Sequence, residues 1–291
     1  MSTEERLAYE TRVRNRQVAL AAAAGILLIL GVAIQLGGPH VNVSEKTLGL
    51  ITEHKRFTRD LLGSIVTALS LIAVAATLHY LWGAAMAREP NLKPKFIGTM
   101  AIVGGVLEGI AVVVYVIAFG SAANDFVSHG SQTFPEANAL LGRPSLLISQ
   151  IGNYLGLFLV AIALVMVSLN AMRVGLLTRF LGYLGIIGGV LTIIPLVPIP
   201  IVEAYWLLAV AYLLSGRWPS GVPPAWSSGK AEPWPPRQPA GAARRQPAAR
   251  GARGARAKPA PTPAPEPVGA PAPSGNSSRS TTPKRKRKRR K

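Results

Sequence analysis

Cysteine is absent from the 291-residue chain. That excludes disulfides, thiolate metal sites and a cysteine nucleophile. It leaves the redox compartment open, because a membrane protein on either side can lack thiols. Acidic residues are scarce, 13 against 32 Lys and Arg. Absent too are a GxxxxGK[ST] phosphate loop, an HExxH pair, a GxSxG elbow and paired aspartates inside an apolar stretch. The sequence marks of nucleotide hydrolases, zinc peptidases and serine hydrolases are therefore missing. No cofactor, no metal and no catalytic residue is expected, and the chain is read as non-enzymatic.

What is present divides unevenly. Residues 1–216 carry 14 Lys/Arg and 11 Asp/Glu, whereas residues 217–291 carry 18 and 2. The last quarter is rich in Ala, Pro, Gly and Arg. It has too few large apolar side chains to offset the entropy of ordering, which predicts a disordered tail.

The rest is apolar in long runs. Crossing about 30 Å of hydrocarbon takes roughly 20 apolar residues, and stretches 18–36, 61–87, 97–119 and 146–170 meet that. Stretch 180–215 is too long for one span and slightly short for two. Its middle, PLVPIP with Pro195, Pro198 and Pro200, fits no straight helix, so two short helices joined by a turn are expected. The predicted fold is all-α: a cytoplasmic segment 1–17, a six-span helix bundle over 18–216, and the tail 217–291. Stretch 18–36 ends IQLGGPH without a small-x-small cleavage site, so it is read as a retained helix rather than a signal peptide.

Basic residues set the orientation. Arg6, Arg12, Arg14, Arg16, Arg88, Lys93, Lys95, Arg173, Arg179 and the tail fall on one side; Lys46, Lys55, Arg56, Arg59 and Arg143 fall on the other. Both termini are expected in the cytoplasm and the protein in the inner membrane.

The tail ends in eight consecutive basic residues: Lys284, Arg285, Lys286, Arg287, Lys288, Arg289, Arg290 and Lys291. Near a charged leaflet each contributes on the order of 1 kcal/mol, so together they can hold the end on anionic lipid headgroups. Nonspecific nucleic acid or ribosome binding is an alternative, with a log–log salt slope near −7 for about eight phosphates. A cytoplasmic protein partner is another. Few aromatics accompany the basic positions, which disfavours stacking on bases. Trp218, Trp226 and Trp234 follow the last span at even spacing, suited to the membrane interface.

Inside the spans Glu108 asks for an explanation, because an ionised side chain near the bilayer midplane is costly and often marks a pathway. Gly104, Gly105 and Ala111 make its face small, and Gly105-x3-Gly109, Gly152-x3-Gly156 and Gly185-x3-Gly189 are spaced for close helix packing. Counting depth from the span ends brings His79 within reach of Glu108. Gln150 and Asn153 share a face, and Glu203 lies toward the outer side. Two readings stand: a proton- or cation-linked pathway through Glu108 and His79, or polar groups that glue helices together. Asp125 and His129, four apart, read as solvated surface before metal site. Asn42-Val43-Ser44 has the letters of a glycosylation acceptor.

LLTRFLGYLGIIGGVL (176–191) and GRWPSGVPPAWSSGKAEPWP (216–235) resemble a family of multi-pass actinobacterial membrane proteins, over roughly residues 15–235. The resemblance implies architecture and an inner-membrane location, and brings no activity or catalytic residue with it. The long Ala/Pro/Arg tail departs from that pattern. Two functions from different classes follow: an envelope scaffold or tether working through its tail, or a small-solute carrier working through Glu108.

Overall fold

The computed structural model describes residues 3–36, 46–194, 200–219 and 221–232. Lys284 to Lys291, Trp234, Asn42 and the prolines at 195 and 198 lie outside the described residues. Among the described residues every element is helical: α1 (Thr3–Leu36), α2 (Lys46–Arg88), α3 (Ile97–Ser128), α4 (Phe134–Leu141), α5 (Pro144–Arg173), α6 (Arg179–Ile193), α7 (Ile201–Leu214) and α8 (Pro224–Ser228). Four of them, α1, α2, α3 and α5, are long and apolar enough to cross a membrane.

Each of the four span-length apolar stretches sits inside a longer helix, and stretch 180–215 divides between α6 and α7. α1 starts 15 residues before position 18 and α2 starts 15 before position 61. No proline interrupts either extension, so the backbone ladder continues past the apolar part. α5 opens with Pro144 at its first turn behind an extended Arg143, where a missing N–H does no harm. Thr178 caps α6 by accepting a hydrogen bond from the Leu181 amide at 3.3 Å, satisfying one free donor of that turn.

Small residues let the long helices touch. A Cβ added at Gly105 would stand 2.7 Å from Ala75 Cβ and 2.8 Å from the Leu71 carbonyl. One at Gly156 would stand 2.5 Å from the Glu108 amide nitrogen. Such near-contact of backbones is how apolar helices associate when burial from water gives no preference for one helix face. The outer faces stay apolar: Ile148, Ile151 and Tyr154 of α5 are all more than 60% exposed. A surface of that kind suits hydrocarbon rather than water.

Two apolar clusters result. The larger joins α1, α2, α3, α5, α6 and α7 through residues such as Leu78, Leu81, Val167, Leu181, Trp206 and Leu213. The smaller, with Leu50, Phe126, Leu140 and Leu146, lies where α2 begins and α3 ends. That end is called upper below; the end where α1 begins and α7 finishes is the lower.

At the lower end the structure revises a sequence boundary. Residues 217–219 and 221–232, assigned above to the tail, fold back onto the bundle. Trp226 stacks on Tyr80 with centroids 6.1 Å apart, and its indole N–H donates to the Leu176 carbonyl at 2.9 Å. The Arg88 guanidinium lies over the same ring, 5.0 Å from its centroid. Arg88 also grips Glu10 of α1 with two bonds of 2.8 and 2.7 Å and donates to the Ala84 and Ala225 carbonyls. The Arg14 side chain reaches the Leu214 carbonyl at the end of α7. An indole with a hydrogen-bond partner and a guanidinium over its face is more than a membrane-hugging ring.

Candidate functional site

α2 and α3 run antiparallel in a register that can be read from their contacts. Gly98 faces His79, Gly105 faces Leu71 and Ala75, Gly109 faces Ala68, and Gly120 faces Phe57. In each case the two residue numbers add to about 177. Glu108 therefore stands level with residue 69 of α2. His79 stands opposite Gly98, whose carbonyl lies 3.1 Å from its Nδ1. Ten residues at 1.5 Å each separate the two levels, about 15 Å. The pairing of His79 with Glu108 is thus corrected. Depth counted from residues 87 and 97 assumed that those ends lie level, whereas α2 sits about seven residues lower against α3. His79 is also exposed on the outer face of the bundle.

Glu108 is buried, 8% exposed. It borders a cavity of about 480 Å³ enclosed by α1, α2, α3, α5, α6 and α7. Its Oε2 is buried without a hydrogen-bond partner, and so is Oγ1 of Thr67, another lining residue. Glu203 lines the cavity from α7 and accepts a 2.8 Å hydrogen bond from the Thr192 hydroxyl at the end of α6. The remaining walls are apolar, including Leu28, Val32, Leu71, Leu157, Val160 and Leu164.

α6 and α7, which border the cavity, are short. Their 15 and 14 residues make about 22 Å and 21 Å of helix, less than a hydrocarbon thickness of about 30 Å. α7 ends at Leu214, held by Arg14 of α1. Counting back up both helices sets Ile201 level with Leu28, about 12 Å below the end of α1 at Leu36. Contacts agree, since Gly25 faces Ala204 and Leu207. Ser70 of α2 donates to the Ala24 carbonyl, which ties this level to residue 70 and hence to Glu108. Glu203 therefore lies at about the depth of Glu108 rather than well outside it. The first backbone N–H groups of a helix have no partner within it, and Pro200, Ile201 and Val202 at the start of α7 line the cavity.

Other expected residues stand elsewhere. Gln150 is exposed on α5 and Asn153 half-buried; neither lines the cavity. Asp125 pairs with Arg143 at 2.7 Å instead of meeting a metal, and among the described residues no cluster of three His, Cys, Asp or Glu could hold one. Sequence reasoning missed Thr67 and Thr192. Their signal was available, as both are hydroxyls in apolar stretches within a turn or two of the regions already suspected.

No protein-family model, curated protein or solved structure matches the chain.

Proposed function

We propose that the protein is a multi-pass inner-membrane carrier that binds a small, largely apolar solute in the cavity between its helices, with Glu108 as the polar anchor. The observation that carries this reading is Glu108, a buried carboxyl whose Oε2 has no hydrogen-bond partner, in the lining of a cavity of about 480 Å³. That volume lies in the range of small-molecule sites, about 300–1,000 Å³, where apolar walls hold a ligand and a few polar groups orient it. A carboxyl used only as helix glue would be expected to find a partner. His79 drops out of the pathway and Glu203 takes its place.

In this reading α6 and α7 are the fifth and sixth membrane segments, and both chain ends face the cytoplasm, in line with the basic residues of Arg6 to Arg16 and the tail. The upper end is then periplasmic. The tail adds a second role on the strength of its eight terminal basic residues: electrostatic contact with anionic lipid headgroups. Co-sedimentation of the full chain with phosphatidylglycerol vesicles, lost in 0.5 M salt or with an excess of nucleic acid, separates lipid from polyanion binding in general.

The absence of cysteine makes a direct test clean. Single cysteines at Val32, Leu157 and Glu203 are expected to react in intact cells with a small water-soluble thiol reagent. Cysteines at Ile151 and Phe158, on the outer face, are expected to stay unreacted. Equal silence at all five positions would mean a cavity closed to solutes, and would end the carrier reading.

A further inference from the structure

The cavity, the Arg88 clasp at the lower end and the charged start of α2 each hold buried polar groups, and the cavity reaches furthest. Resting on the carrier reading above, the geometry points to a ligand class: a monovalent organic cation with an apolar body, held by Glu108 and Glu203. Among the described residues lining the cavity there are two carboxyls and no Lys, Arg or His. The indole N–H of Trp206, which also borders it, is already given to the Leu181 carbonyl. The charged side chains of the site are therefore both acidic, and the donors beside them, the Thr67 hydroxyl and the first amides of α7, carry no full positive charge to hold an anion against two carboxyls. Its walls are apolar over most of their area, which rejects a hydrated metal ion, since such an ion needs several oxygen ligands in a tight shell.

The energetics favour the same class. A carboxylate alone in an apolar enclosure carries a desolvation cost that only an opposite charge or several hydrogen bonds offset. Glu203 has the Thr192 hydroxyl; the Oε2 of Glu108 has no protein donor. A cation seated in the cavity beside Glu108 supplies the opposite charge, while its apolar body covers Leu28, Val32, Leu71 and Leu157. Glu203 stands at about the same depth as Glu108 on another helix of the cavity wall, so a cation in the cavity has an acidic group on two of its sides. Neutral apolar molecules would gain the walls and lose the anchor; anions would be repelled by both carboxyls.

The test uses two probes of nearly equal size and shape and opposite charge, tetraphenylphosphonium and tetraphenylborate. Full-length protein in nanodiscs is dialysed against each, with empty nanodiscs as background. Tetraphenylphosphonium is expected to bind saturably and at least tenfold more tightly than tetraphenylborate. Glu108→Gln is expected to weaken the phosphonium at least tenfold and Glu203→Gln severalfold, with thermal unfolding of each variant checked first. Should Glu108→Gln fail to fold, the Glu203→Gln comparison decides.

Val32→Trp and Leu157→Trp, which fill the cavity, separate this inference from the reading beneath it. If both ions bind equally, are lost in the tryptophan variants and ignore the glutamines, the cation class is overturned while solute binding stands. If binding of both ions survives the tryptophan variants, or neither ion binds, the cavity is no ligand site and both are overturned.

Discussion

The two ends of the bundle treat buried polarity in opposite ways. At the lower end Arg88 has a partner for every nitrogen, in Glu10 and the Ala84 and Ala225 carbonyls, and Trp226 fills the space above it. Six of the eight buried side-chain atoms without a hydrogen-bond partner among the described residues lie at the cavity or above it: on Glu53, Arg56, Arg59, Asp60, Thr67 and Glu108, with Asp60 held by an ion pair to Arg56 at 3.5 Å. A satisfied network locks helices in one arrangement, whereas unsatisfied groups cost stability and are kept where something other than stability is served. The lower end thus reads as the fixed base that ties α1, α2, α7 and the segment after α7 together, and the upper part as the region open to ligand and to charge.

Removing one partner from the base should produce the largest effect. Arg88→Leu leaves the Glu10 carboxylate buried without its counter-charge and releases Trp226, at a cost of about 3–5 kcal/mol. A clear fall in Tm in detergent is expected. An unchanged Tm would break the contrast between the two ends. Next in size is Gly156→Val. The added side chain meets the Glu108 backbone within 2.5–2.8 Å, and overpacking of that kind costs about 1–3 kcal/mol. It would also push α5 from α3 beside the cavity, so tetraphenylphosphonium binding should fall with stability. Trp226→Phe keeps the ring and loses the hydrogen bond to Leu176, about 1 kcal/mol; limited proteolysis of residues 217–232 should accelerate accordingly.

These positions also mark what the sequence could tell. The four long helices were legible because stretches of 19 or more predominantly apolar residues have few other uses, and the Gly-x3-Gly spacings correctly indicated close packing at Gly105 and Gly156. Glu108 was legible as a carboxyl where carboxyls are costly. Its partner was not, because helix register depends on how Gly98 meets Trp82 and Gly105 meets Leu71, which no count from span ends contains. A seven-residue offset was enough to separate His79 from Glu108 by about 15 Å. The hydroxyl of Thr192 and the early start of α7 at Ile201 were hidden for a related reason: a short helix is recognisable, but the level at which it begins is set by Arg14 and Gly25 on another helix. The fold-back of 217–219 and 221–232 was obscured by its Pro and Trp content, which resembles a loop until Arg88 and Tyr80 are seen to receive Trp226.

The smallest expected effect concerns Glu53, on the part of α2 that precedes the apolar stretch 61–87. Burial first, and repulsion from Asp60 second, push its carboxyl up from 4.5 to about 7, while Arg56 draws it down. Tyr115 of α3 also senses its charge. Because the folded state holds this proton more tightly than the unfolded chain, the folded form binds more protons between about pH 4.5 and pH 7. Stability from this group is therefore lost as pH rises through that window. Thermal unfolding in detergent should give a Tm that declines modestly from pH 5 to pH 7.5, and Glu53→Gln, which cannot ionise, should flatten the decline. A slope that persists in Glu53→Gln and vanishes in Glu10→Gln would move the titrating group to the lower end and reverse the assignment of which half of the molecule responds to protons.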